Sequence, residues 1–288
     1  MPAEEQTQGV IFVATGQKYI EASIKAARHI NKHCKGLPIH LFTDAPGEDF
    51  ITSLATSPFS SMERLENPNP RSKVETLGLT PFDRTLFFDT DTMIVQDVRE
   101  IFGLLDKFDF AMAHAMHRMP GNLKPYRIEL PDAFPEFNSG VMAYRKTPAV
   151  LKFLHIYKNE FQGDWQAAGA RNQQSDHDQT PLRELLWLSD LQIAILPPEY
   201  NIRNFRYPFF WGKTEAQAKV FHIKLLHKGF FPWFITTLKK MPGIKQFRNL
   251  LAAVHARFQT KNFKIPSLHQ LINVITPPIK KYKGKKKS

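Results

Sequence analysis

Short apolar runs alternating with helical patterns predict an α/β layered fold with a mostly parallel central sheet. Two further observations support this class. Several runs, such as Gly9–Thr15, are continuously apolar, as buried strands are. The chain is also large enough for a sizeable core, with 288 residues of which 42% are hydrophobic.

Taken in order, Gly9–Thr15 is the first predicted strand. Residues 18–33 follow, with Ile20, Ile24, Ala27 and Ile30 at helical spacing. Further strands are predicted at Leu37–Thr43, Thr85–Asp89, Asp109–Ala113, Ser139–Tyr144, Gln192–Leu196 and Val220–His222. Helices are predicted over 148–161 and 177–188. Residues 114–137 and 197–214 are proline-containing loops, and long loops in compact domains are usually functional. In such sheets the site lies at the C-terminal ends of the strands.

Charge divides the chain. Residues 229–288 hold 13 Lys or Arg and no Asp or Glu, whereas residues 1–228 are nearly neutral, with 26 basic and 27 acidic side chains. Three parts are therefore expected: a main domain over 1–228, a basic amphipathic helical extension over 229–278, and a disordered Lys-rich tail over 279–288. The tail carries six lysines. With the aromatic knot Gly229–Phe234, it suits an anionic membrane surface. Packing of 229–275 on the main domain, with a merely solubilising tail, is the alternative. No base-reading motif supports a specific nucleic-acid partner. The single cysteine, Cys34, excludes an internal disulfide and suits a reducing compartment. No secretory signal or spanning helix is read. The expectation is a cytoplasmic protein, with peripheral attachment to the inner face of a membrane as a further expectation.

The strongest chemical signal is Leu86–Val95, in which Asp89 and Asp91 follow an apolar strand. Strand alternation would point both carboxylates the same way, toward one hard cation. A turn in which they cap a following helix is the alternative. Three more motifs follow: Phe137–Met142 with its Asn-Ser-Gly, Asp176–Gln179 opening a helix, and Val220–Lys224 with His227–Gly229 and Trp233 behind it.

Together and in this order, over roughly residues 9–233, these motifs resemble the GT-A glycosyltransferases, most closely the family-8-like nucleotide-sugar transferases. The resemblance implies a Rossmann-like GT-A domain using Mn²⁺ or Mg²⁺. It implies a nucleotide-sugar donor, with UDP as the base-bearing part, and a glycan, lipid-linked or protein acceptor. By the same resemblance Ala14, Thr15 and Tyr19 would hold the base. Lys73 would bind the diphosphate, at a position where the family often has Arg. Asp89 and Asp91 would be metal ligands, with Thr90 between them, and His222 or His227 would be the third; the strand end favours His222. Asn138 and Ser139 would contact the donor, and Gly140 would leave room for it. Asp178 and Gln179 would lie beside the sugar's reacting carbon. Retention of anomeric configuration is implied too.

Without the family, a diphosphate leaving group needs its developing charge stabilised, and a divalent metal with Lys73, Lys224 or Lys228 can do this. Asp178 is the candidate carboxylate near the anomeric carbon, with Asp176 second and better explained as a helix cap. His29, His33 and Cys34 invite a zinc reading, but neighbouring Arg28, Lys32 and Lys35 make a solvated basic face the better one. His114 and His117 are read as ordinary loop residues, and Glu136 as a weaker acceptor-side base. Asp44 is either near the base or a cap. Trp165, Trp187 and Trp211 are read as core. Two rival functions remain: a haloacid-dehalogenase-type phosphatase, from the D-x-D after an apolar strand, and a membrane-tethering protein with an inactive transferase-like domain.

Overall fold

In the computed structural model of the chain, the described residues are 6–44, 57–69, 72–115, 127–170 (backbone alone for 162–170), 178–203 and 218–222. All of them lie in one compact unit, Met1–Arg203 with Glu215–Ile223. The expected boundary at 228, the extension 229–278, the tail 279–288, and Asp176, Trp211, Lys224, His227 and Lys228 lie outside the described residues.

Among the described residues the main sheet has seven strands. These are β1 (Gln8–Ala14), β2 (Ile39–Thr43), β3 (Ser61–Arg64), β4 (Arg84–Phe88), β6 (Phe110–His114), β7 (Phe137–Arg145) and β8 (Ile193–Leu196). Their spatial order is β3-β2-β1-β4-β7-β6-β8. Four neighbouring pairs are parallel, and β7 alone runs antiparallel, against both β4 and β6. Two short strands, β5 (Thr92–Ile94) and β9 (Val220–His222), pair antiparallel in a separate ribbon.

Strand alternation sorts the core into two layers. Val10, Phe12, Ala14, Leu86 and Phe88 face one cluster, which Ile20, Ala26, Ala27 and Ile30 of α1 (Gln17–His33) complete. Ile11, Phe42 and Phe87 face the other. There they meet Val150, Phe153, Tyr157 and Phe161 of α3 (Pro148–Ala170), with Leu182 and Leu186 of α4 (Gln179–Leu188). Coverage on both faces is why these strands read as unbroken apolar runs. Each buried Phe or Leu contributes roughly 1.5–3 kcal/mol by leaving water.

The structure corrects some expectations and agrees with others. The helix expected to end at 161 continues to Ala170, and the one expected from 177 starts at Gln179. Trp187 is not core: it is 45% exposed, packed edge-on against Phe134. Cys34 is fully buried among apolar side chains, and burial pushes its thiol up to about 11. The rings of His29 and His33 stack 6.4 Å apart on a helix whose Arg28 and Lys32 are exposed. Asp44 settles as a partner of the helix start, where both its carboxylate oxygens accept from the Gly16 amide, at 2.8 and 2.9 Å. Gly16 needs its freedom there, because its φ is +79°.

Candidate metal and donor site

β4 carries the chain into the middle of the sheet and stops at Phe88. The next three residues are a turn rather than a strand. Thr92 closes it by donating its amide to the Asp89 carbonyl at 3.1 Å and its hydroxyl to the same oxygen at 2.8 Å. The carboxylates of Asp89 and Asp91 therefore converge because the turn folds them together, not through strand alternation. β5 begins at once and pairs with β9, placing His222 opposite Thr92. The amide of His222 also donates to the Ile202 carbonyl at 2.9 Å.

Three ligand atoms result. Nε2 of His222 lies 3.1 Å from Asp91 Oδ1 and 3.5 Å from Asp89 Oδ2. One ligand atom from each of the three residues falls within 4.8 Å of the others. Two carboxylate oxygens and one imidazole nitrogen suit a divalent cation such as Mn²⁺ or Mg²⁺.

The third wall is β7. Its pairing with β6 slips between Met112 and Ala113, so that Met112 opposes Met142 but Ala113 opposes Asn138. Ser139 and Gly140 thus bulge toward the Asp89 turn, and the Asp89 amide donates to the Gly140 carbonyl at 2.8 Å. A methyl group on Gly140 would lie 2.0 Å from His222 Cε1 and 2.6 Å from Asp89 Oδ2. Gly140 therefore makes room for the ligand set itself, where the family resemblance assigned the space to the donor. Gly140→Ala is expected to push His222 aside and weaken Mn²⁺ binding about 10–100-fold, as measured by electron paramagnetic resonance of free Mn²⁺. Unchanged affinity would contradict this geometry.

Beside the cluster sits Lys73, on the short helix α2 (Ser72–Thr76). Its ammonium lies 2.7 Å from Asp178 Oδ2 and 3.5 Å from Asp89 Oδ1. It donates to Ser139 Oγ at 2.9 Å and lies 5.5 Å above the Phe87 ring. Ser139 in turn donates to Asp178 Oδ2 at 2.8 Å. Burial opposes the Lys73 charge, but Asp178 and Asp89 outweigh it and hold its pKa above the usual lysine value. Burial raises the Asp89 carboxyl, Asp91 and Asp178 add to the rise, and Lys73 and His222 oppose it. Among the described residues, Asp89 and Asp178 share the Lys73 ammonium and Asp91 lies against His222, which leaves negative charge for a cation to compensate when His222 is neutral.

Asp178 occupies the N-cap position of α4, yet its side chain makes no capping hydrogen bond and turns to Lys73 instead. Gln179 begins that helix, with its side-chain carbonyl buried and without a hydrogen-bond partner among the described residues. Thr90 is buried within the turn. Asn138 is buried behind the ligands, accepting from the Gly140 amide at 3.2 Å and from Asn201 at 2.7 Å. Asn201 is a site residue that the sequence motifs did not flag. It touches His222 Nδ1 at 3.0 Å, and only its place in the long loop after Pro197-Pro198 pointed to the region. Ala14, buried, and Thr15 lie at the C-terminal end of β1, and Tyr19 is half exposed on the first turn of α1. His114 ends β6, exposed, and Glu136 is buried just before β7.

No protein-family model matches the chain, and no curated protein matches it. Solved structures do. The galactosyltransferase LgtC, solved with donor and acceptor sugar analogues, aligns with a TM-score of 0.57 at 14% identity, covering 88% of this chain and 97% of LgtC. The glycosyltransferase GlyE of Streptococcus pneumoniae TIGR4 aligns with a TM-score of 0.53 at 15% identity, covering 76% of this chain and 54% of GlyE. The bifunctional glycosyltransferase WbbM aligns with a TM-score of 0.52 at 12% identity, covering 90% of this chain and 53% of WbbM. The chain thus spans nearly all of LgtC and about half of the other two. A mostly parallel seven-stranded sheet flanked by helices, with the candidate metal cluster at the end of its central strand, gives this chain the GT-A glycosyltransferase fold.

Proposed function

We propose that the chain is a metal-dependent glycosyltransferase that moves a sugar from a nucleoside-diphosphate donor, UDP-linked, to a glycan, lipid-linked or protein acceptor, with retention of configuration. The observation that carries the reading is the cluster of Asp89, Asp91 and His222 standing beside Lys73 and Asp178. A divalent cation at those three ligands supplies charge neutralisation to a departing diphosphate. Lys73 adds a fixed positive charge next to the same position, in a partly water-excluded place where it acts strongly. Asp178, held by Lys73 and Ser139, is in this reading the carboxylate near the reacting carbon, with Gln179 beside it in the chain. Ala14, Thr15 and Tyr19 form the base-side lip at the end of β1. Ser139 and Lys228 complete the donor set in this reading.

A thermal-shift panel of nucleoside diphosphates and nucleotide sugars tests it, because a ligand of the native state raises the melting temperature by mass action. A rise with a uridine nucleotide only when Mn²⁺ is present is expected. A rise independent of metal, or none with any nucleotide, contradicts it and favours a phosphatase or an inactive scaffold.

Peripheral attachment to an anionic membrane is the second part of the proposal. It rests on the six lysines of residues 279–288, each contributing at most about 1 kcal/mol near such a surface. Deleting 279–288 is expected to weaken binding to phosphatidylserine vesicles and leave donor hydrolysis unchanged. Undiminished binding would show that the tail is not the anchor. Among the described residues no helix is long and apolar enough to cross a membrane.

A further inference from the structure

We infer that Asn138 and Asn201 are positioning residues that fix His222 with its hydrogen on Nδ1, so that Nε2 is the nitrogen left to face the cation position at Asp89 and Asp91. This rests on the proposed metal site and not on the identity of the sugar donor.

The assignment follows from one group whose role cannot change. The Gly140 backbone amide can only donate, so the Asn138 side-chain atom 3.2 Å from it must be the carbonyl oxygen. That same oxygen lies 2.7 Å from the Asn201 amide, so the facing atom of Asn201 must be its NH₂. The other end of the Asn201 amide is then an oxygen, and it lies 3.0 Å from His222 Nδ1. An oxygen there only accepts, so Nδ1 carries the hydrogen. The remaining ring nitrogen, Nε2, faces Asp91 Oδ1 at 3.1 Å and Asp89 Oδ2 at 3.5 Å.

Turning either amide by 180° would set donor against donor or acceptor against acceptor. Water cannot readily repair that here, because Asn138 and Asn201 are each 2% exposed and His222 is 5% exposed. The chain of bonds starts in the β7 bulge, crosses the loop that holds Asn201, and ends on β9. Backbone bonds hold each link: Asn201 donates its amide to the Pro198 carbonyl at 3.0 Å, and Ile202 donates to the Val220 carbonyl at 2.9 Å. A ring held this way presents one nitrogen before any cation arrives, which is how outer groups set the orientation and basicity of a ligating histidine. Asn138 thereby acts on His222 through its side-chain oxygen and Asn201.

The test uses the full chain with ¹⁵N-labelled histidine and Mg²⁺ alone, with no nucleotide sugar. His222 is assigned by comparison with His222→Gln. The expected spectrum shows hydrogen on Nδ1 both before and after Mg²⁺ addition, with the change on binding confined to Nε2. Asn201→Leu removes the acceptor. It is expected to lose the Nδ1 hydrogen signature and to weaken Mn²⁺ binding about 10–100-fold. Asn201→Asp keeps an acceptor toward Nδ1 but sets its second oxygen against Asn138 Oδ1, so it is expected to retain the signature at a lower melting temperature. Should Asn201→Leu fail to fold, the unmodified chain still decides. A bare or ligating Nδ1 in the Mg²⁺-loaded chain, or unchanged Mn²⁺ affinity in folded Asn201→Leu, overturns the inference. A chain that binds Mg²⁺ with Nδ1–H intact but transfers no sugar supports the inference and overturns only the proposed function. No response of His222 to Mg²⁺ overturns the inference and the metal site together.

Discussion

Asp91→Asn is expected to lower donor turnover by about a thousandfold, the loss of several kcal/mol of charge stabilisation at the departing diphosphate. The substitution keeps shape and leaves an acceptor oxygen near His222, so it changes charge more than structure. In the cation-free protein it should not reduce stability. Asp91 adds to the repulsion that raises the Asp89 carboxyl, so removing its negative charge relieves that repulsion. The melting temperature without metal is expected to stay equal or rise, while the shift induced by Mn²⁺ with a nucleotide disappears. Turnover within a few-fold of the unmodified chain would remove Asp91 from the metal site.

Lys73→Gln should have the second-largest effect, and on two quantities. Lys73 is the one described ammonium among these carboxylates, bonded to Ser139 and paired with Asp178 and Asp89. Removing one partner of such a mostly buried pair costs about 3–5 kcal/mol, because the remaining charge is left uncompensated. The urea midpoint is expected to fall accordingly. Added Mn²⁺ should restore part of the loss, since a cation at Asp89 replaces some of the missing charge. Donor turnover should fall about 100-fold as well, as a fixed charge beside the leaving group is lost. Lys73→Arg keeps the charge and should recover most of the stability. A Lys73→Gln protein as stable as the unmodified chain, with no benefit from Mn²⁺, would show that the ammonium does not balance these carboxylates.

The strands covered on both faces were legible because burial on two sides makes unbroken apolar runs, as in Gly9–Thr15 and Leu86–Phe88. β3 was not. Its residues Ser61–Arg64 are largely exposed at the sheet edge and carry no apolar pattern. β5 was hidden for the opposite reason. Leu86–Val95 reads as one apolar stretch around two aspartates, and the turn at Asp89–Asp91 is imposed by Thr92 and by pairing with β9, far along the chain. That tertiary turn also explains why alternation gave the right convergence for the wrong reason. Asp89, Asp91 and Asp178 were legible as carboxylates after an apolar strand or at a helix start, whereas Lys73 was singled out through the family resemblance. Asn201 carries no such mark: its role exists only through bonds to Asn138, 63 positions earlier, and to His222, 21 positions later. Gly140 was singled out, but the atoms it spares belong to His222 and Asp89.

The central claim is metal-dependent cleavage of a nucleotide sugar at the Asp89–Asp91–His222 site. It is tested most directly by incubating the chain with a panel of nucleotide sugars and Mn²⁺ and identifying the released nucleotide. Slow release of the nucleoside diphosphate from one donor is expected, abolished by EDTA and absent in Asp91→Asn. Release of inorganic phosphate or a nucleoside monophosphate instead, or diphosphate release indifferent to EDTA and to Asp91→Asn, would contradict it.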